Sequence, residues 1–250
     1  MKKSKLNIFL IIFIFTSFFT MAESEFSILD NKEVFMKNLK TGIKAFFNEK
    51  DRDKVFLNIP ELKSYNYLTG YIPFIEVKAE NVFVDDLRTD FVYMYLYNIK
   101  LDKDKLIKKN EFIPGEDMRI RFHAEISQKN LNELLESKNK KIKVNNPKAI
   151  LKPNNIYLYG NVKAVFLSSN IKIKGSFYVE DEKKINFQAE YIALERVKMP
   201  KFLLSKFVSS MNPVIDLERN RFDIRVSRIE ILNEKFIISS FDKDEVESFK

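Results

Sequence analysis

The fold is decided by residues 155–194, which read NIYLYGNVKAVFLSSNIKIKGSFYVEDEKKINFQAEYIAL. Apolar or small residues occupy every second position in three successive runs: Ile156, Leu158, Gly160, Val162, Ala164 and Phe166; Ile171, Ile173, Gly175, Phe177 and Val179; Ile185, Phe187, Ala189, Tyr191 and Ala193. A period of two is typical of β-strands, and the polar segments 168–170 and 181–183 predict the turns of an antiparallel meander. The first run, 155–167, would extend about 43 Å at about 3.3 Å per residue, which predicts an elongated body.

Further strands are predicted on both sides of this meander. Segments 71–79 and 81–84 are alternating or apolar, and segment 91–97 is apolar or aromatic on both faces, as expected of a strand that is covered on each side. Segment 118–126 alternates between apolar and polar residues. A final hairpin is predicted from strands 222–232 and 236–238 around a tight turn, with a charged, frayed tail from Asp242.

Three amphipathic helices complete the prediction. Asp30 and Glu33 have the spacing of an N-terminal cap pair, and Ser127 is placed to cap a short helix. A late helix begins near Pro200 and is stopped by Asn212-Pro213. The apolar stripes of the three helices comprise Phe35, Leu39, Ile43, Phe46 and Phe47; Leu131, Leu134 and Leu135; and Leu203, Leu204, Phe207, Val208 and Met211. The sequence therefore predicts an α+β fold in which a long, curled antiparallel meander packs against amphipathic helices.

The first 22 residues have the pattern of a signal peptide. Lys2, Lys3 and Lys5 precede an apolar core of about ten residues, and Thr20-Met21-Ala22 supplies small residues for cleavage. This core is short for a bilayer span, which needs roughly 20 residues, although an uncleaved N-terminal anchor is the alternative. We therefore expect residues 1–22 to be removed and residues 23–250 to form one exported domain, periplasmic or associated with the cell envelope.

Composition excludes several classes of function. The chain has no cysteine and one histidine, so disulfides, thiolate metal sites and multi-histidine metal sites are ruled out. Removing the leader removes three of the 43 basic residues and none of the 35 acidic ones, which leaves a surplus of five positive charges spread along the chain. That surplus permits transient contact with anionic lipid headgroups but does not predict nucleic-acid binding.

No motif in the sequence predicts catalysis or a cofactor. The nucleotide-binding patterns GxxxxGK[ST] and GxGxxG and the hydrolase pattern GxSxG are absent. His123 falls on the polar face of its strand, where we expect a solvated side chain. Asp102 and Asp104 lack the remaining ligands of a calcium loop, so they are expected to be turn charges. A hydrolase that uses carboxylates alone would rest on Asp85 and Asp86, and the sequence favours a protein that is not an enzyme.

An ordered set of short segments resembles the LmeA-like family of phospholipid-binding bacterial envelope proteins. These segments are Gly70, the strand 75–79 followed by Asn81-Val82, the strand end 124–127 leading into 131–135, the meander with Gly160, Met199-Pro200, and NPVIDL at 212–217. The resemblance covers residues 55–240. It implies an elongated, tubular lipid-binding fold, phospholipid binding outside the cytoplasmic membrane, and no catalytic residues.

Together, the strand pattern and the resemblance predict an apolar channel for acyl chains. Its predicted lining comes from the inner face of the meander and from the late helix: Ile156, Leu158, Val162, Phe166, Ile173, Phe177, Phe187, Tyr191, Leu204, Phe207 and Met211. Small residues on that face, such as Gly160 and Gly175, leave room for acyl chains or equally for a helix. The alternative is a solid-core structural or interaction protein that docks an envelope partner, and the volume of the interior distinguishes the two.

Overall fold

The computed structural model describes residues 31–84, 87–142, 144–164, 167–194, 197–198, 209, 212–213, 215–218 and 223–247. The helices are α1 (31–44), a 3-10 helix (Glu49–Lys54), α2 (Ser64–Thr69), α3 (Lys103–Lys109), α4 (Gln128–Ile142) and α5 (Lys243–Glu247). The strands are β1 (Val55–Asn58), β2 (Tyr71–Val84), β3 (Leu87–Lys100), β4 (Arg119–Ser127), β5 (Val144–Lys152), β6 (Asn155–Ala164), β7 (Leu167–Glu180), β8 (Lys184–Leu194), β9 (Val197–Lys198), β10 (Ile215–Asp216), β11 (Asp223–Ile224), β12 (Arg228–Leu232) and β13 (Lys235–Ser239). The predicted signal peptide and most of the predicted late helix lie outside these residues.

The strands form two sheets instead of one continuous meander. The first sheet has the order β1-β2-β3-β4-β13-β12, with β11 beside β4, and the second has the order β10-β8-β7-β6-β5, with β9 beside β8. All described pairings are antiparallel except β11 with β4. The predicted α+β class with mainly antiparallel strands is confirmed, but within the described residues neither sheet closes into a barrel.

Helix α1 packs against one face of the first sheet. Phe35, Leu39 and Ile43 are fully buried in one cluster with residues of β2 and β3, as the spacing of these residues predicts. Phe46 was placed on the same stripe but is 41% exposed, because the helix ends at residue 44 and the chain turns there. This cluster also includes Met118 and Ile120, so the helix, β2, β3 and the start of β4 share one core.

The other face of the first sheet is covered by the C-terminal segment, which was predicted to fray. Phe241 and Val246 bury Tyr93 of β3, and the guanidinium of Arg121 lies 4.2 Å from the centre of the Phe241 ring. Arg121 Nη1 and Nη2 donate to the two carboxylate oxygens of Glu245 at 3.0 and 2.7 Å. These contacts hold α5 against the sheet and leave β3 covered on both faces, as its sequence predicted.

Helix α4 packs against the second sheet and also occupies the outer edge of β5. Leu131 and Leu135 pack against buried residues of β5, β6 and β8, and Ser127 accepts from Asn130 N–H at 3.4 Å as the predicted cap. Asn132 Oδ1 accepts from Ala149 N–H at 2.6 Å, while Asn132 Nδ2 donates to Ala149 O at 3.0 Å. An amide side chain thus forms the pair of bonds that a neighbouring strand would otherwise form with Ala149.

Asn212 makes the same kind of contact at the opposite side of the second sheet. Its Oδ1 accepts from Phe187 N–H and its Nδ2 donates to Phe187 O, both at 2.9 Å. Three residues later, Ile215 of β10 pairs directly with Ile185 of β8. The Asn-Pro segment that carries part of the family resemblance therefore continues the β10 pairing along the edge of β8.

The two sheets meet through β12 and the turns around it. Ile231 of β12 is buried in the same cluster as Leu151 and Ile156, and Ile231 O accepts from Asn154 N–H at 2.8 Å. A second hydrogen bond joins the segment before β12 to the β7–β8 turn, where Val226 N–H donates to Glu182 O at 2.7 Å. The second sheet is therefore held to the first by a shared apolar cluster and by backbone hydrogen bonds.

Candidate functional site

The candidate site is the face of the second sheet that is directed towards α4 and β12, which we call the inner face. Ile156 and Leu158 of β6, Ile173 and Phe177 of β7 and Phe187 of β8 lie on it or in the clusters that it forms. The structure therefore brings five of the predicted lining residues together. Val162 lies in β6 beside Ser169, but its side chain is not described, and Phe166, Leu204, Phe207 and Met211 lie outside the described residues.

Tyr191 lies on the opposite face, because β8 contains a bulge. Lys174 pairs with Tyr191 and the next residue, Gly175, pairs with Ala189, so Glu190 is an extra residue in the strand. One extra residue reverses the alternation of all side chains that follow it. Ile192, not Tyr191, is therefore buried in the inner cluster. The strict period of two that was predicted for 185–193 is wrong beyond the bulge.

The predicted turn at 168–170 is also wrong. These residues belong to β7, since Ser168 pairs with Lys163 and Asn170 pairs with Asn161. The hairpin connection falls between Ala164 and Leu167, so β6 has 10 residues instead of the predicted 13. Polar residues that often form turns are compatible with strand structure here, because Asn161 Nδ2 donates to Asn170 Oδ1 across the hairpin at 3.3 Å.

The space above Gly175 is filled by the protein itself. A Cβ atom at this position would lie 2.6 Å from Cε2 of Phe187, whose ring covers the glycine. The Phe187 side chain is 1% exposed and its ring centroid lies 5.3 Å from that of Phe177. Phe177 in turn lies 5.4 Å from Phe236 of β13, so this part of the inner face is packed core.

Other residues of the inner face are only partly covered by the described residues. Leu158, Ile171 and Ala189 pack against the buried cluster but are not themselves buried. Leu158 pairs directly with Ile173, and Ile171 pairs with Gly160, so these residues form an apolar area along β6 and β7 towards the β6–β7 hairpin. Partly exposed apolar side chains next to a glycine provide contact area without a polar group that would need a partner.

Two cavities flank the second sheet. One, of about 250 Å³, is lined by Phe187, Tyr178, Gln188 and Asn212 at the edge of β8. The other, of about 670 Å³, lies at the opposite edge and is lined by Asn132, Glu136, Asn146, Pro147 and Lys148. Both contain polar as well as apolar groups, and Phe187 is the predicted lining residue that reaches the first of them.

A third cavity contains three arginines where the two sheets approach each other. It has a volume of about 330 Å³ and is lined by Tyr97, Arg119, Ile120, Arg121, Glu182, Arg225, Ser227 and Ser240. Arg121 is bound by both oxygens of Glu245, and Arg225 Nη1 donates to Glu182 Oε2 at 3.1 Å. Because carboxylates of the same chain already bind these guanidinium groups, the cavity offers less positive charge than its arginine content suggests.

Residues 64–240 match the family model described as LmeA-like phospholipid-binding. The chain belongs to that family. The match spans both sheets and includes α4, the complete meander and Asn212, and the LmeA-like family is defined by binding of phospholipid and not by a reaction. Comparison with curated proteins gives no match to the chain, and comparison with solved structures gives none either.

Sequence reasoning missed the burial of two neighbouring polar side chains, His123 and Glu125, in this LmeA-like chain. His123, expected to be solvated, is 1% exposed, and its ring centroid lies 6.1 Å from that of Phe91 in the neighbouring strand β3. Its Nε2 lies 3.2 Å from Glu125 Oε1, and Lys235 Nζ donates to Glu125 Oε2 at 2.7 Å.

Within the described residues, His, Asp and Glu do not gather in a group of three or more that could hold a metal ion. In the same part of the chain, each helix is too short or too polar to cross a bilayer.

Proposed function

We propose that the protein is an exported, non-enzymatic carrier or sensor that holds phospholipid acyl chains against the inner face of the second sheet, for lipid transfer or envelope assembly. The observation that carries this proposal is membership of the LmeA-like phospholipid-binding family over residues 64–240. In this proposal the two sheets and the late helix form the tubular body that the family resemblance implies. Residues 1–22 direct export and are then removed.

The physical basis of binding is the transfer of methylene groups out of water. Each buried methylene contributes about 0.8 kcal/mol, so a dozen of them contribute roughly 10 kcal/mol before the costs of association. Leu158, Ile171 and Ala189 supply the apolar contact area for this on the inner face. Because such contacts have no directional polar component, we expect low discrimination between acyl chains and a selectivity that depends on the headgroup.

The proposal is tested by native mass spectrometry of the exported protein, followed by organic extraction of the same sample. We expect a discrete added mass that extracts as phospholipid, and an intact chain that begins at Glu23. Substitution Leu158→Asp places a charge on the inner face and should lower the lipid content. The matched control is Phe56→Asp on β1, where the native side chain is 67% exposed and belongs to the first sheet.

The second candidate is a solid-core interaction protein that docks an envelope partner. Its support is the packing around Gly175, where Phe187 fills the space that an acyl chain would need. A clean apo mass that does not change after incubation with mixed liposomes would favour this candidate. A protein that begins at Met1 would instead support the uncleaved anchor.

A further inference from the structure

The outer face of the second sheet, opposite the inner face, has alternating lysine and tyrosine side chains. The register places Lys148, Tyr159 and Lys172 in one row across β5, β6 and β7. The adjacent row contains Tyr157, Lys174 and Tyr191 across β6, β7 and β8. We call these six residues the Lys–Tyr face. The bulge at Glu190 is what brings Tyr191 to it, because without the bulge Tyr191 would lie on the inner face.

Two lysines of this face, Lys172 and Lys174, lie close to its tyrosine rings. Lys172 Nζ lies 5.7, 5.6 and 6.0 Å from the ring centroids of Tyr157, Tyr159 and Tyr191. Lys174 Nζ lies 6.0 Å from the ring centroid of Tyr157 and forms an ion pair with Glu190. A hydrogen bond to Tyr191 and an electrostatic interaction with Tyr159 raise the pKa of Lys172 above its ordinary value of 10.5.

The described packing of the second sheet uses its other face. Leu131 and Leu135 of α4 and Ile231 of β12 join the inner cluster with residues such as Ile173 and Ile192. In the described part of the chain, the six residues of the Lys–Tyr face belong to none of the buried apolar clusters. Lys148 is exposed and the five others are partly exposed, so the face is accessible to a flat partner.

We propose that the Lys–Tyr face docks the protein on the surface of an anionic lipid bilayer. This inference rests on the proposed function, since a carrier of phospholipid must reach a membrane to load or unload. Three lysines and one paired glutamate leave this face positive, which complements anionic headgroups. Tyrosine has an apolar ring and a polar hydroxyl, and lysine an apolar stem and a charged end. Both therefore suit the boundary between headgroups and acyl chains.

The docking geometry places the lipid-binding face next to the membrane without burying it. The two faces of a sheet are separated by one layer of backbone, and side chains of adjacent residues alternate between them. Leu158, on the inner face, is flanked in sequence by Tyr157 and Tyr159 of the Lys–Tyr face. A sheet that lies on the membrane by one face thus keeps the other face available for an acyl chain that enters around the edge of the sheet.

The experiment measures co-sedimentation with two kinds of vesicle, phosphatidylcholine alone and phosphatidylcholine mixed with phosphatidylglycerol. The full chain is expressed with its own leader and the exported protein is used, so that all variants share the same N-terminus. We expect binding to the mixed vesicles, weakening as salt is raised because the charges are screened. The variant Lys148→Gln/Lys172→Gln should lower the partition coefficient about 30-fold, and Tyr159→Ser should lower it without a change of charge.

The matched control is Lys108→Gln/Lys109→Gln on α3, which removes the same charge from a helix that packs against the first sheet. Its partition coefficient should remain within about threefold of the unchanged protein, because charges away from the membrane are screened. Three results would each overturn the proposal. They are equal binding to the two kinds of vesicle, an equal loss of binding in the α3 control, and unchanged binding of both variants of the Lys–Tyr face. Selective capture of an acidic protein with no vesicle binding also overturns it.

Native mass spectrometry of the same preparations separates this inference from the proposed function. Bound phospholipid in a protein that does not sediment with vesicles would refute docking by this face and leave the carrier proposal standing. Vesicle binding by a protein without bound phospholipid would refute the carrier proposal and retain the docking face. Circular dichroism of each variant confirms that a loss of binding is not a loss of fold.

Discussion

Removal of the amide of Asn132 should destabilise the second sheet by an amount that follows from its two hydrogen bonds. Asn132→Ala leaves the N–H and the C=O of Ala149 without their side-chain partners, and Ala149 is fully buried. Each buried group without a partner costs about 1–3 kcal/mol. Alanine is the better helix former and returns about 0.5 kcal/mol, so the free energy of unfolding should fall by about 1.5–5.5 kcal/mol.

The measurement is urea unfolding followed by circular dichroism, with the slope of the transition compared between variants. Asn145→Ala is the matched control, because Asn145 is exposed and its side chain donates to Asn161 O at 3.4 Å. We expect that control to change stability by less than about 0.5 kcal/mol. Asn132→Asp separates the two bonds, since a carboxylate still accepts from Ala149 N–H but cannot donate to Ala149 O. A change below about 1 kcal/mol for Asn132→Ala would refute the proposed role of this side chain.

Three further predictions concern packing and pH. Gly175→Ala should destabilise the protein by about 1–3 kcal/mol or more, because the new Cβ meets both the Phe187 ring and the backbone oxygen of Gln188. In urea unfolding, the double variant with Phe187→Leu should lose less than the sum of the two single losses, since the smaller side chain relieves one of the two contacts. Burial and the nearby Glu76 carboxylate raise the pKa of Tyr93 to about 12 from 10.0, so the free energy of unfolding should fall as pH rises from 10 to about 12, and Tyr93→Phe should lessen this fall. Hydrogen bonds from Arg121 and the backbone lower the pKa of Glu245 from 4.5. Glu245 therefore contributes at most about 1 kcal/mol to the free energy of unfolding at this exposed site, and this contribution should be lost as pH falls below 4.5. Glu245→Gln should lack the contribution at every pH, which thermal unfolding across pH would show.

Local patterns in the sequence were sufficient for most strands and for the helix at 31–44. Phe35, Leu39 and Ile43 recur at helical spacing, and Ile171 and Ile173 alternate along β7, because one face of each element is buried and the other is not. The turn at Asn233-Glu234 was also recognisable, since Leu232 and Lys235 pair on either side of it. At these positions the local residue pattern predicts the secondary structure that the protein forms.

Features that depend on distant contacts were not predictable in this way. The burial of Tyr93 depends on a C-terminal segment about 150 residues away, whose charged sequence gives no sign that it folds back. The bulge at Glu190 is set by the pairing of β8 with β7, and a single strand read alone does not reveal an extra residue. The division into two sheets likewise depends on which strands pair, and β13 pairs with the distant β4 as well as with its neighbour β12.

For the candidate site, sequence patterns identified five side chains that the structure gathers, and the reversal at the bulge moved Tyr191 to the other side. The family resemblance over 55–240 agrees with the match to the LmeA-like family over 64–240. The identity of the fold class and the family could thus be predicted from one sequence. The sequence alone did not distinguish apolar residues in the packed core from those that are only partly covered. That distinction depends on neighbours such as Phe187 and Phe236, which only the structure identifies.

The two asparagines at the margins of the second sheet have a consequence for self-association. An open strand edge is a template on which another chain can add a strand, and this is a common beginning of aggregation. Here Asn132 occupies the amide and carbonyl of Ala149, and Asn212 occupies those of Phe187. A strand from another chain would have to displace one of these side chains, and at β5 also helix α4, before it could form its first backbone hydrogen bond. Two amide groups thus protect this sheet from growing into a polymer without covering its outer face.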